Sequence, residues 1–339
     1  MIWFLGGMLW ADQLLYEEDL GQTVQDLVLS DNEDYVAFVG SEMTYLLSTS
    51  SWETESISVC GSYDMGGAVF VDSDLYIGCG DGSISKYSSA GETTQNALSI
   101  DSGAILGLWE YNEVIYALAE QESGGNPRVH SVEISSNTEA SGNYPSTLGY
   151  SNYKDGERFG NFVIVAHGGS SVSKIDLSTG GASTDNIGPT SVTLTDVLPY
   201  EDATNALIAG GQGGVIRFLT ASNDTQYALN LIAFEDVTAL AVRDDLLWLA
   251  DENTLRAYSV SGYGGTIGTE EQDTIELSAV DAIKEMGAID DYLFYVTENG
   301  SYGVLSDLPR VEISSLVSDW DSEEHTLTFE ADTSGEYDL

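Results

Sequence analysis

An all-β fold is what this 339-residue sequence predicts, and three observations carry the prediction. Apolar runs are short and are bounded by Gly, Asp, Asn and Ser, in a chain with 36 Gly, 19 Tyr and only 5 Pro. Residues 72–91, DSDLYIGCGDGSISKYSSAG, read as a polar turn, an apolar strand, a glycine hairpin, a second strand and another polar turn. The same arrangement then recurs. The bulky residue opening the second strand of each unit falls at Tyr35, Leu75, Val114, Phe162, Ala206, Leu246 and Tyr292, with gaps of 40, 39, 48, 44, 40 and 46 residues. A period of roughly 40–45 residues with four short strands per unit predicts the blades of a β-propeller.

Taken in order, residues 1–16 predict an apolar hairpin turning at Gly6-Gly7, followed by an acidic linker. Seven full units then fill residues 22–316. In each, a small-residue strand such as VTALAV (237–242) opens the unit, and a polar turn leads to a bulky apolar second strand. A glycine hairpin follows, then an alternating third strand and a weaker, polar fourth. That gradient fits blades whose first two strands are buried while the fourth forms a wet edge protected from aggregation.

Outside the units lie 21 residues at the front and 23 at the back, together one blade's worth of chain. The expectation is therefore eight four-stranded blades, with a closing blade shared by both termini so that no sheet edge stays open. The alternative is seven blades plus terminal extensions. In domain terms, residues 1–316 form the propeller and 317–339 a closing strand or docking tail. The repeats resemble WD40-type or quinoprotein-like propeller units across nearly the whole chain. The Trp-Asp dipeptide and Gly-His of WD40 repeats are missing, so the resemblance implies the architecture and not the family.

Charge is the exceptional feature: 56 Asp and Glu against 10 Lys and Arg, a formal net of −46. Disorder would need few aromatics and low hydrophobicity, whereas 10% of residues are aromatic and 42% hydrophobic. A folded chain this acidic repels itself unless salt screens it, and the Debye length falls to roughly 3 Å in 1 M salt. The composition resembles that of haloarchaeal proteins, which implies a halophile or a virus of one, with high salt required for stability. Phosphate backbones attract Lys and Arg, so nucleic acid is excluded as a partner class. The N-terminus lacks the basic region and unbroken apolar run of a signal peptide, and no run approaches the roughly 20 apolar residues of a membrane span.

Candidate sites are few. His130, His167 and His325 show no metal spacing; His167 ends a second strand beside Gly168-Gly169, which makes it a candidate contact on a disc face. Trp52 and Trp320 lie beside polar turns and are candidate contact anchors, while core packing accounts for the other tryptophans. Cys60 and Cys79 are expected as two partly buried free thiols in preference to a bridge. The glycine strings GCGDGS and GGQGG join strand to strand and lack phosphate-loop spacing. The acidic clusters at 31–34, 72–74 and 321–324 lack a calcium-loop ladder and read as turns that hold cations loosely. Asn223 and Asn299 head glycosylation sequons whose occurrence by chance is the default.

No catalytic residue, cofactor or structural metal is thus assigned. The functional expectation is a non-enzymatic disc that docks other proteins of a larger assembly, or surface glycans. The setting expected for it is a virion tail, baseplate, spike or capsid-associated position facing brine. The rival is a cytoplasmic or cell-surface haloarchaeal propeller acting as a quinoprotein-like or glycan-processing enzyme, or a ligand binder, at its central channel. Clustered histidine, arginine and carboxylate there would favour the rival.

Overall fold

The computed structural model describes residues 13–61, 63–100, 103–121, 126–139, 153–167, 172–178, 181–187, 194–199, 206–211, 215–220, 225–230, 236–243, 246–261, 266–277, 281–306, 311–319 and 324–331. Their strands form seven four-stranded sheets and one two-stranded sheet. The four-stranded sheets are numbered I to VII by their first strands: Val24–Leu29, Met65–Val71, Ile105–Tyr111, Tyr153–Phe159, Leu194–Pro199, Ala239–Arg243 and Ile283–Ile289. Each first strand touches those of the sheets before and after it, and that of sheet VII touches that of sheet I. The sheets therefore close into a ring with the first strands innermost, a β-propeller.

Sheet II shows why the sequence folds this way. Met65–Val71, Asp74–Cys79, Ser83–Tyr87 and Thr93–Ser99 pair antiparallel in chain order. The second strand is buried along almost its whole length, and the fourth is mostly exposed. Leu75 and Ile77 enter a core with Ala37, Val39, Phe70 and Cys79, built between sheets I and II. Trp248, Leu255, Met286, Tyr295 and Leu305 do the same between VI and VII. Burial is thus earned between neighbouring sheets, which makes each sheet dependent on its neighbours. Six of the seven second strands start at the residue the repeat predicts, and in sheet II the strand starts one residue earlier, at Asp74.

The termini depart from the eight-blade expectation. Gln13–Asp19 pairs antiparallel with Ser301–Ser306 and becomes the outer strand of sheet VII. Unit VII supplies only three strands to that sheet, so the N-terminal segment fills its vacant edge instead of starting an eighth sheet. Tyr302 fastens the junction, its hydroxyl donating to Glu18 Oε2 at 2.9 Å. The closing sheet is composite, but with a strand from the N-terminus alone. Val311–Asp319 and Glu324–Ala331 pair with each other as the two-stranded sheet. Residues 1–12 lie outside the described residues.

The cysteines also depart from expectation. Cys60 and Cys79 form a disulfide, with their Cα atoms 5.4 Å apart. Cys60 lies in the crossover from sheet I to sheet II and Cys79 ends the second strand of sheet II. The hairpin register, which spacing alone does not reveal, brings them together. No helix among the described residues is long and apolar enough to cross a membrane.

Candidate functional site: the central channel

All seven innermost strands line a central channel of about 590 Å³. Its wall is apolar where Leu27, Val69, Leu108, Leu198, Val242 and Met286 face it, and acidic at Asp26, Asp31, Glu33, Glu110 and Glu157. Arg158 is a cation in that wall.

Four carboxylates occupy one equivalent place around the ring. Asp26, Asp155, Asp196 and Glu285 lie opposite Val39, Ala166, Gly210 and Val296, each the fifth residue of its second strand. Each follows a register shift near the start of its innermost strand, where the bulge turns the side chain toward the next sheet. There it accepts a backbone N–H. Asp26 accepts from Ala68 at 3.0 Å, Asp155 from Val197 at 3.1 Å and Asp196 from Leu240 at 2.5 Å. Glu285 accepts from Leu27, which links sheet VII back to sheet I. Lys284 strengthens that link, donating to the Val24 and Gln25 carbonyls at 2.8 Å each.

Sheets II and III carry glycine instead. Gly107 occupies the acid's position, opposite Leu118. A Cβ on Gly66 would lie 1.8 Å from the Ile105 carbonyl oxygen, and one on Gly67 would lie 2.6 Å from the Gly107 Cα. The next joint is made by Trp109, whose Nε1–H donates to the Gly156 carbonyl at 2.9 Å.

Asp196 is buried, Asp26, Asp155 and Glu285 are half-buried, Glu157 opens onto the channel, and their closeness to one another and to protein shifts their titration. Burial, with Asp155 adding to it, pushes Asp26 up to about 6. Burial raises Asp155, while the hydrogen bond with Asp196 holds it back. Burial and then the Asp155 charge push Asp196 well above the carboxylate range. Glu157 and Glu285 are raised well above it by burial first, then by neighbouring carboxylates. Tyr153 is raised in the same way. Taking a charge out of water disfavours it, and like charges compound the cost.

Among the sequence-predicted contact residues, Trp52 is half-buried in the turn before the outer strand of sheet I, with φ 58°. Its ring lies 4.8 Å from that of Tyr292, edge-on, and 6.5 Å from that of Phe294, so it packs across the joint to sheet VII. His167 is the last residue of its strand, paired with Tyr153 of the innermost strand. Trp320 and Asn223 lie outside the described residues. Of the two described positions, Trp52 belongs to sheet I and His167 to sheet IV. In the 72–74 turn, Asp74 accepts from the Ser89 N–H at 3.0 Å and meets Lys86 at 2.5 Å. In the glycine hairpin, Asp81 accepts from the Ser83 N–H at 3.0 Å. Among the described residues, no group of three or more His, Cys, Asp or Glu side chains is placed to hold a metal ion.

The four ring carboxylates were not singled out in the sequence, where the innermost strands read as Val, Ala, Leu, Gly and Ser. The signal was an acid at one matching place in VQDLVL, YKDGERF, LTDVLP and IKEMGAI, visible once the second strands are aligned.

No family model matches this chain. No curated protein matches it either. Solved structures do. A chain of the crystal structure of the mitotic checkpoint complex superposes with a TM-score of 0.66 at 15% identity, covering 86% of this chain and 91% of that one. The computationally designed Ika8 protein superposes with a TM-score of 0.59 at 12% identity, covering 85% and 98%. At such identities the likeness is one of fold, a β-propeller.

Proposed function

We propose that this chain is a rigid docking disc for other proteins, working in concentrated salt on a brine-exposed assembly such as a virion. The observation that carries the reading is the use made of the ring carboxylates: Asp26, Asp155, Asp196 and Glu285 each hold a backbone N–H of the next sheet. These four acids serve the scaffold, which supports placing the contacts on the faces and edges of the disc. The structurally similar chain of the mitotic checkpoint complex belongs to a protein assembly, which supports the same use here. The Cys60–Cys79 disulfide supports an oxidising, surface-facing setting over a reducing cytoplasm. A net charge of −46 supports a salty one.

The test is cross-linking mass spectrometry on particles or cells kept in about 3 M salt. Specific cross-links from one face or edge of the disc to another protein are the expected result. A free monomer turning over a small substrate would overturn the reading. Thermal unfolding at about 0.1 M salt should show a large loss relative to about 3 M, and an unchanged midpoint would contradict the halophilic part.

A second reading is favoured by one observation. Glu157 and Arg158 stand in the channel wall beside the raised carboxylates, an arrangement able to hold a small polar ligand such as a sugar. Saturable binding of an oligosaccharide, lost in Glu157→Gln with the fold intact, would decide for it.

A further inference from the structure

We propose that the contact between Asp155 and Asp196 is a pH-sensitive clasp, in which one shared proton ties sheet IV to sheet V and its loss loosens the ring there. The geometry comes first. Asp155 and Asp196 occupy equivalent places in successive sheets. Asp155 reaches forward to the Val197 N–H, and Asp196 reaches forward to the Leu240 N–H. The two side chains also hydrogen-bond to each other. Ionised carboxylates only accept, so that contact requires a proton on one of them. Asp196 is 8% exposed and Asp155 is half-buried, so the pair is only partly open to bulk water.

The groups facing the pair make proton loss costly. Tyr153 and Glu157 share sheet IV with Asp155, Asp26 faces it from sheet I, and Glu285 faces it from sheet VII. The cations nearby are already engaged. Lys284 spends its ammonium on the Val24 and Gln25 carbonyls, and the Arg158 charge acts on Glu157. A second negative charge at the joint therefore meets several carboxylates, and the Lys284 ammonium offsets it only in part. Two carboxylates in contact titrate as a pair, retaining one proton to unusually high pH.

The sign follows from the raised values in the folded chain. Below the ordinary carboxylate range both folded and unfolded chains are protonated, and the clasp contributes fully. As pH rises, the unfolded chain ionises first, and stability falls until the folded pair ionises too. The clasp thus tightens in mild acid and loosens toward alkaline pH. Surface acids act in the same direction, but salt screens them, whereas the buried pair is screened much less.

The experiment is thermal unfolding of the full chain at about pH 5 and about pH 8, in about 3 M salt. Asp155→Asn keeps an oxygen for the Val197 N–H and gives Asp196 a permanent donor; Asp196→Asn does the same in reverse. In both variants the drop in midpoint from acid to alkaline pH should be smaller than in the parent by at least about 3 °C. The exposed variant Glu92→Gln should keep the parent's drop. Equal drops in all four proteins would overturn the clasp. Amide exchange in the parent protects the test against a variant that fails to fold: protection at Val197 and Leu240 should fall at the higher pH after correction for intrinsic rates. Protection that does not change would also overturn it.

Discussion

Two kinds of joint within the same ring solve one problem in opposite ways. Between sheets VII, I and II, and again between IV, V and VI, an acid spans the gap and takes the neighbour's backbone N–H. Between II and III the side chains are deleted, and Gly66 and Gly67 bring backbone against backbone at Ile105 and Gly107. The acid joint is adjustable, because a carboxylate can gain or lose a proton. The glycine joint is fixed, since it has no side chain to move and no charge to change. A charge-assisted hydrogen bond contributes about 1.5–3 kcal/mol, whereas a forced clash in a packed joint costs about as much or more. One ring therefore contains joints that respond to pH and joints that do not.

Breaking the glycine joint should have the largest effect. Gly66→Ala places a methyl where the Ile105 carbonyl oxygen stands, and a destabilisation of about 3 kcal/mol, the top of the range for overpacking, is expected in denaturant melts at high salt. A near-neutral result would mean that sheets II and III can separate freely. Next comes the disulfide that spans the I–II acid joint. Its two cysteines are 19 residues apart in sequence, and Cys60→Ser with Cys79→Ser should cost about 3 kcal/mol, read as the change between oxidised parent and double variant. The smallest effect belongs to the exposed rim. Lys86→Ala removes the Asp74 pair and should cost about 0.5 kcal/mol or less, vanishing in high salt, whereas the joints keep their contributions.

What was legible in the sequence follows from what each residue must do. The second strands are buried on both faces, so YVAFVG, LYIGC and YLFYVT are conspicuous, and the repeat frame read from them meets the strands almost residue for residue. The turns were legible because Asp74 and Asp81 do local work that spacing reveals. The ring acids were not, since one carboxylate among 56 Asp and Glu carries no mark until the sheets are aligned. Closure was misread for a related reason. Residues 13–16 read as the end of an apolar hairpin and 17–19 as an acidic linker, and only the vacant edge of sheet VII makes Gln13–Asp19 one strand. The disulfide depended on a register between a crossover and a hairpin, which is a tertiary fact.

The most direct measurement is the stability of Asp26→Ala beside Asp26→Asn, in about 3 M salt at about pH 5. If the ring acids hold the sheets together, the alanine variant leaves the Ala68 N–H without its acceptor and loses about 2 kcal/mol, while the asparagine variant stays near the parent. An alanine variant as stable as the parent would contradict the account, and would return these carboxylates to the channel as groups kept for a ligand.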